Sequence, residues 1–553
     1  MKKNFLFTTV LILAAALFIG GCREEKEVIE KFDDAIPPRF VNVSVHDPSI
    51  FRISGTGEFR IIGSFLTSAK TFNFISWSSD STGATNAPAK TGSKETPDDV
   101  ALRYPLNLKY IPKDNPNPGI QTVAQQMTDV LRGQFVRDNG TLRDAFNYYA
   151  SDIHSMPNGK FFHYYSMTCT SNCSAIGVAI ADSAEGPYIT QGLIVRSNQA
   201  ADNSLAPDGT TNYSTSKHPN CIDAQAFFDK TGTRLFMTYG SWTGGIFICE
   251  MDPETGLKKD GAAINNESDG YGRRIIAAQG VAIEAPYILY SPKTDYYYLF
   301  LSFGWLESVG NAQGRYQIRI FRSQNPEGPY EDAIHPITES APKPLETVNL
   351  VNSSGDTDFR NYGVKVMGGY HFPQLPEEAR RNSGFGSEGY LAMGHNSAYY
   401  DQETGKYYLI FHSRFVNSGE QHSVRVHEMF VSENGWLMAA PFRYDSGTIR
   451  SFSKGQLTST WKILCHGRSI NQGNDAYAEA KVYTFKNNGA ITGPENGKWE
   501  MKADGKTAYI TLDDVLYKGV FLRSYDELHR VWVCAFTAMS DDGIALWGAT
   551  PGI

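Results

Sequence analysis

Five short segments place an acidic residue or a histidine ahead of an aromatic or aliphatic run. They are His46-Asp47-Pro48-Ser49-Ile50, Ser151-Asp152-Ile153, Ile222-Asp223-Ala224-Gln225, Ile283-Glu284-Ala285-Pro286 and Gly394-His395-Asn396-Ser397. Carboxylates that converge on one pocket can divide general-acid and general-base work, because one can hold a proton while its neighbour stays ionised. Taken singly, each segment could be a turn, since Asp before Pro and Asp near turns are common. The spacing argues otherwise. A turn carrying Gly, Asp or Lys follows each segment, and a strand-like run then starts at Phe59, Phe161, Leu235, Tyr296 or Tyr407. The interval from the polar residue to that run is 12 in four cases (47 to 59, 223 to 235, 284 to 296, 395 to 407) and 9 in the other (152 to 161).

A hairpin closed by a short turn produces such an interval. Five similar β-units in succession predict an all-β fold, a five-bladed propeller over residues 38–447. The first strand of each blade lines the axis, so Asp47, Asp152, Asp223, Glu284 and His395 are expected in one central pocket. Residues 80–146 interrupt the spacing as an insertion, with a helix expected near 120–132. The remaining 448–553 reads as a second, small β-barrel-like domain. Hydrophobic residues make up 41% and aromatics 13% of the 553 residues, beside 51 glycines. That composition suits many short strands with tight turns, and it also suits sugar binding, where rings stack on sugar faces.

The motifs resemble those of the family 43 glycoside hydrolases, and within them the endo-1,5-α-L-arabinanases. Val45-His46-Asp47-Pro48 looks like the general-base motif, Asn220-Cys221-Ile222-Asp223 like the segment whose Asp tunes and orients the acid, and Ile283-Glu284-Ala285-Pro286-Tyr287 like the general-acid motif. Gly394-His395-Asn396-Ser397 resembles the segment whose histidine faces a central metal ion, usually calcium. Gly240 to Ile246, Tyr316-Gln317-Ile318-Arg319 and the stretch Gly435 to Tyr444 are further matches, and the tail is similar to the C-terminal domain of larger arabinanases. There are two departures: Tyr149-Ala150-Ser151-Asp152 stands where the family often has Trp-Ala-Pro-Asp, and Ala224 follows Asp223 where Pro is usual.

The resemblance implies hydrolysis of internal α-1,5-L-arabinofuranosyl bonds of arabinan with inversion. Glu284 would protonate the leaving oxygen, Asp47 would deprotonate the attacking water, and Asp223 would raise the acid's pKa. An inverting pair leaves room for that water, with carboxyls roughly 6.5–9.5 Å apart. Trp242, Trp305, Tyr316 and Asp152 are the candidate sugar contacts, with packing as the alternative for Trp305 and Tyr316 and a blade-tying role for Asp152. Trp77 is expected in the core. Two other readings use the same residues: an exo-acting α-L-arabinofuranosidase or β-xylosidase, and a surface glycan-binding propeller without turnover. The C-terminal domain is expected to be a stabilising cap, with a carbohydrate-binding module as the alternative.

Net charge is −8 and no Lys/Arg-rich run is present, which removes the electrostatic footprint of a nucleic-acid binder. Residues 1–22 read as an export signal: Lys2 and Lys3, an apolar run from Leu6 to Phe18, then Ile19-Gly20-Gly21-Cys22, which resembles a lipobox with Cys22 as the acylated residue. Residues 23–37 would be a tether, and the protein a monomer held by lipid at the cell envelope. In an exported chain Cys169 with Cys173, and Cys465 with Cys534, are candidate disulfides.

Overall fold

The computed structural model describes residues 36–79, 108–110, 147–168, 172, 174–186, 188–197, 213–259, 270–306, 315–353, 355–378, 389–415, 421–447, 451–469 and 477–552. The leader, Cys22, the helix expected near 120–132, and Cys169 and Cys173 lie outside them.

Five antiparallel sheets follow one another along the chain. The first blade contains Ser49–Arg52, Phe59–Ile62, Ser68–Thr71 and Trp77–Ser79. The second contains Asn147–Ser155, Phe161–Thr168, Ser174–Ala181 and Tyr188–Arg196, and Leu108–Tyr110 adds to its outer edge in parallel with residues 188–190. The third runs from Gln225–Phe228 to Arg273–Ala277 and the fourth from Ile283–Ser291 to Val364–Met367. The fifth contains Gly389–Asp401, Lys406–Arg414, His422–Val431 and Leu437–Ala439. The second strand of each blade carries near-continuous apolar and aromatic residues because it is covered on both faces. In Phe161–Thr168, for example, every residue but the last is buried.

Each blade comes from contiguous chain, so the first and last must be joined by packing and hydrogen bonds. Val45, Ile50, Phe59, Ile61 and Trp77 of the first blade share a core with Tyr408, Ile410, Val424 and Val426 of the fifth. Ser397 Oγ donates to Pro48 O at 2.7 Å and accepts from Ile50 N at 3.1 Å. Trp77 is in the core as expected, at 4% exposure.

The C-terminal domain is a closed barrel of eight strands from Thr460–Cys465 to Ala545–Ala549, whose first and last strands pair. Trp461, Phe485, Trp499, Phe521 and Phe536 fill its interior, with rings stacked at 4.9 Å for Trp461 on Phe485 and 5.3 Å for Phe485 on Trp499. A barrel of this strand number is just wide enough to be packed by side chains.

Lys462 of the barrel contacts both oxygens of Glu378 from the propeller, at 2.8 and 3.1 Å, with both side chains buried. Gly552 N donates to the same carboxylate at 2.6 Å. The expected Cys465–Cys534 disulfide is absent, and both are free thiols. The register sets Cys465 opposite Leu546 and Leu546 opposite Ala538, four residues from Cys534, or about 13 Å along a strand.

Candidate active site

The inner strands open with a shared backbone device. Asp47, Ala150, Asp223, Ala285 and His395 have φ of 58°, 25°, 64°, 59° and 41°. The left-handed region is unfavourable for residues with a Cβ and persists where surrounding structure enforces it. Here the enforcement is a ring of hydrogen bonds, each running from a backbone N–H to a side chain of the preceding blade. Ala150 N donates to Ser64 Oγ at 3.0 Å, Asp223 N to Ser166 Oγ at 3.1 Å, and Ala285 N to Asp223 Oδ2 at 3.2 Å. His395 N donates to Ser302 Oγ at 2.7 Å, and Asp47 N closes the circle on His412 Nδ1 at 3.1 Å. Register shifts mark bulges at this level in the second, fourth and fifth blades, a place where bulges re-aim side chains.

The ring carries the chemical groups. Asp47 is 7% exposed. Its Oδ1 lies 2.8 Å from His46 Nδ1 and 3.0 Å from His395 Nδ1, and Ser64 Oγ donates to Oδ2. Burial would raise its pKa, but the imidazoles of His395 and His46 outweigh burial and hold it well below the usual carboxylate range. Asp47 is therefore an anion at neutral pH. Burial disfavours charge on His395, yet Asp47, Asp223 and Glu284 together raise it to about 9.

Glu284 is held by two hydroxyls, Ser241 Oγ at 2.8 Å on Oε2 and Tyr316 Oη at 2.7 Å on Oε1. Asp223 is 4% exposed. Burial first, then repulsion from Glu284 and Asp47, raises it to about 8 against the pull of His395. Three carboxylates and one imidazole thus share one electrostatic unit, with Asp47 ionised and Asp223 holding a proton at neutral pH.

Two of the four expected sugar contacts, Tyr316 and Asp152, are instead buried. Tyr316 is 1% exposed and stacks near His412, so it serves Glu284 rather than offering a face to a sugar. Asp152 is 3% exposed and falls two residues beyond the ring residue Ala150. It accepts from Ser49 Oγ at 2.5 Å and Ala226 N at 2.9 Å, tying three blades together, and burial raises it to about 6. Ala150, not Asp152, occupies the equivalent ring position, and from it the interval to Phe161 is 11 rather than 9. In the fourth repeat the ring residue is Ala285, beside Glu284. Trp242 is half-buried, with φ of 61° in the turn that also presents Ser241 to Glu284. Trp305 is half-buried beneath Arg315 at 4.6 Å.

The sequence reading missed His46, Ser64, Ser166, Ser241, Ser302 and His412. All but His46 carried a spacing signal: Ser64, Ser166 and His412 fall five residues after Phe59, Phe161 and Tyr407, while Ser241 and Ser302 fall six after Leu235 and Tyr296. A small cavity behind the ring is lined by Asp47, Ser151, Asp223, His395 and Asn396.

Residues 131–360 match the model for glycosyl hydrolases family 43, and 441–548 match a C-terminal lipocalin-like domain. The extracellular endo-α-(1→5)-L-arabinanase 2 of Bacillus subtilis is 37% identical over 519 residues, covering 93% of this chain and 94% of the relative. The chain belongs to glycoside hydrolase family 43. The extracellular endo-α-(1→5)-L-arabinanase of Thermotoga petrophila is 34% identical over 92% of this chain and 94% of its own length. The crystal structure of an endo-1,5-α-L-arabinanase from the same organism superposes with a TM-score of 0.72, covering 93% of this chain and 99% of that one. Among the described residues no helix is long and apolar enough to cross a membrane.

Proposed function

We propose that this family 43 protein is an extracellular endo-1,5-α-L-arabinanase that hydrolyses internal bonds of arabinan by direct displacement. The observation that carries the reading is the division of labour among its carboxylates. Asp47 is kept anionic by two imidazoles and one hydroxyl, while Glu284 lies between two hydroxyl donors beside a protonated Asp223.

In this reading Asp47 takes a proton from water as the water oxygen attacks the anomeric carbon. Glu284 gives its proton to the departing sugar oxygen, so one C–O bond forms as the other breaks and charge balances across the pair. Asp223 positions Ala285 N, next to Glu284, and its negative charge, once formed, favours the protonated acid. Tyr316 and Ser241 fix the Glu284 carboxyl, and Ser64 fixes that of Asp47.

A calcium ion at the axis belongs to the same proposal. Ser151 Oγ and both polar atoms of the Asn396 side chain are buried without a hydrogen-bond partner, and they line the cavity that His395 enters. Nδ1 of His395 faces Asp47, so on giving up its Nε2 proton to solvent the imidazole could bind an ion through Nε2 while the carboxylate orients it. Calcium takes mostly oxygen ligands, so water would complete its shell. The ion would add fixed positive charge beside the carboxylates.

The reading also places the protein at the cell envelope through a lipid on Cys22, supported by the lipobox-like sequence. Its principal test is the product profile on linear 1,5-arabinan, followed by chromatography. Mixed oligosaccharides at early times are expected; arabinose as the sole early product would replace endo action with exo action.

A further inference from the structure

Nine large hydrophobic side chains are exposed among the described residues, and Phe65, at 37% exposure, is the one beside the catalytic ring. It follows Ser64, the residue whose hydroxyl donates to Asp47 and accepts from Ala150 N. Phe65 and Leu66 both have left-handed φ, 58° and 56°. The two residues use the strained backbone differently. Leu66 turns inward and is fully buried, whereas Phe65 is held outward on the face where the inner strands begin.

There it meets Tyr149, the residue before Ala150, edge-on, with centroids 5.6 Å apart at 68°. Two neighbouring blades thus support one exposed ring, and the same Ser64–Ala150 hydrogen bond that builds the catalytic ring sets its position. Non-glycine residues with positive φ cluster at binding and catalytic sites. A partly exposed aromatic ring beside a polar pocket gains from covering by a ligand that offers an apolar face.

We propose that Phe65, braced by Tyr149, is a sugar-stacking platform on the Asp47 side of the site, binding one furanose ring of the chain through its C–H face. The inference rests on the arabinanase reading and adds a subsite to it. A ring that only holds sugar binds ground state and transition state alike, so its loss appears in KM and not in kcat.

The test is steady-state hydrolysis of linear 1,5-arabinan by wild type, Phe65→Ala, Phe65→Leu and Phe65→Tyr. Truncation of an aromatic anchor is expected to raise KM about tenfold for the Ala and Leu variants. In both, kcat should stay within about twofold, and Phe65→Tyr should match wild type. Unchanged KM in Phe65→Ala, or a fall in kcat with KM unchanged, would overturn the platform; the second result would mean that Phe65 only props Ser64 against Asp47. A wild type that leaves arabinan intact would bring down the arabinanase reading and the platform with it. An active wild type with an unaltered Phe65→Ala would remove the platform alone.

Discussion

Replacing Asp223 with Asn should separate stability from activity in a pH-dependent way. Asp223 is 4% exposed and its carboxyl is raised to about 8, by burial first and then by Glu284 and Asp47. Its folded pKa therefore exceeds its unfolded value, and the folded state binds the extra proton between about pH 4 and pH 8. Stability from this group is complete at low pH and is lost as pH rises toward 8. Asparagine keeps an acceptor for Ala285 N and never ionises, so the variant avoids that loss. An isolated group would change stability by about 1.4 kcal/mol per pH unit, or ~4 kcal/mol between pH 5 and 8. Asp223 shares its titration with coupled neighbours, which reduces the expected gap to about 2 kcal/mol.

With an unfolding entropy of about 2.1 cal/mol/K per residue over roughly 400 propeller residues, that gap corresponds to about 2–3 °C in Tm. Scanning calorimetry of both proteins at pH 5 and pH 8 measures it. The variant should gain on wild type as pH rises, while its kcat falls because an amide can never carry the negative charge that favours the protonated acid. A gap that is constant with pH, or that favours wild type at pH 8, would refute the electrostatic argument.

Other changes test other parts. Asp47→Asn and Glu284→Gln should each lower kcat at least about 10²-fold on arabinan with folding intact by circular dichroism. Tyr316→Phe removes one hydrogen bond to Glu284 without opening a cavity, and steady-state kinetics should show roughly a tenfold loss in kcat/KM, matching about 1.4 kcal/mol for one hydrogen bond. Lys462→Met leaves Glu378 buried without its cation and should destabilise the barrel–propeller junction by about 3–5 kcal/mol, read by chemical denaturation. Chelation of divalent ions should lower either activity or Tm, and added calcium should restore it; no change in either would remove calcium from the account.

The repeat and its carboxylates were legible because propeller blades reuse one local solution: a polar residue, a tight turn and a strand covered on both faces. Trp77 was legible for the same reason. What escaped was the level at which blades touch. Ser64, Ser166, Ser302 and His412 are ordinary in sequence, and their importance comes from accepting an N–H of the next blade. Asp152, whose blade-tying role the structure bears out over sugar contact, shows the same limit. A bulge moves the ring position to Ala150, and the pairing register that creates a bulge is a long-range property. Tyr316 likewise stands in a matched motif, but only the fold reveals that its ring is buried and its hydroxyl spent on Glu284.

The central claim is that Asp47 and Glu284 act from opposite sides of one bond, so that water enters as the sugar leaves. Proton NMR of the anomeric signals during the first minutes of arabinan hydrolysis tests it most directly. The β-anomer of the new reducing end should appear first and mutarotate to the equilibrium mixture; α-anomer appearing first would mean retention and would contradict the roles of Asp47 and Glu284.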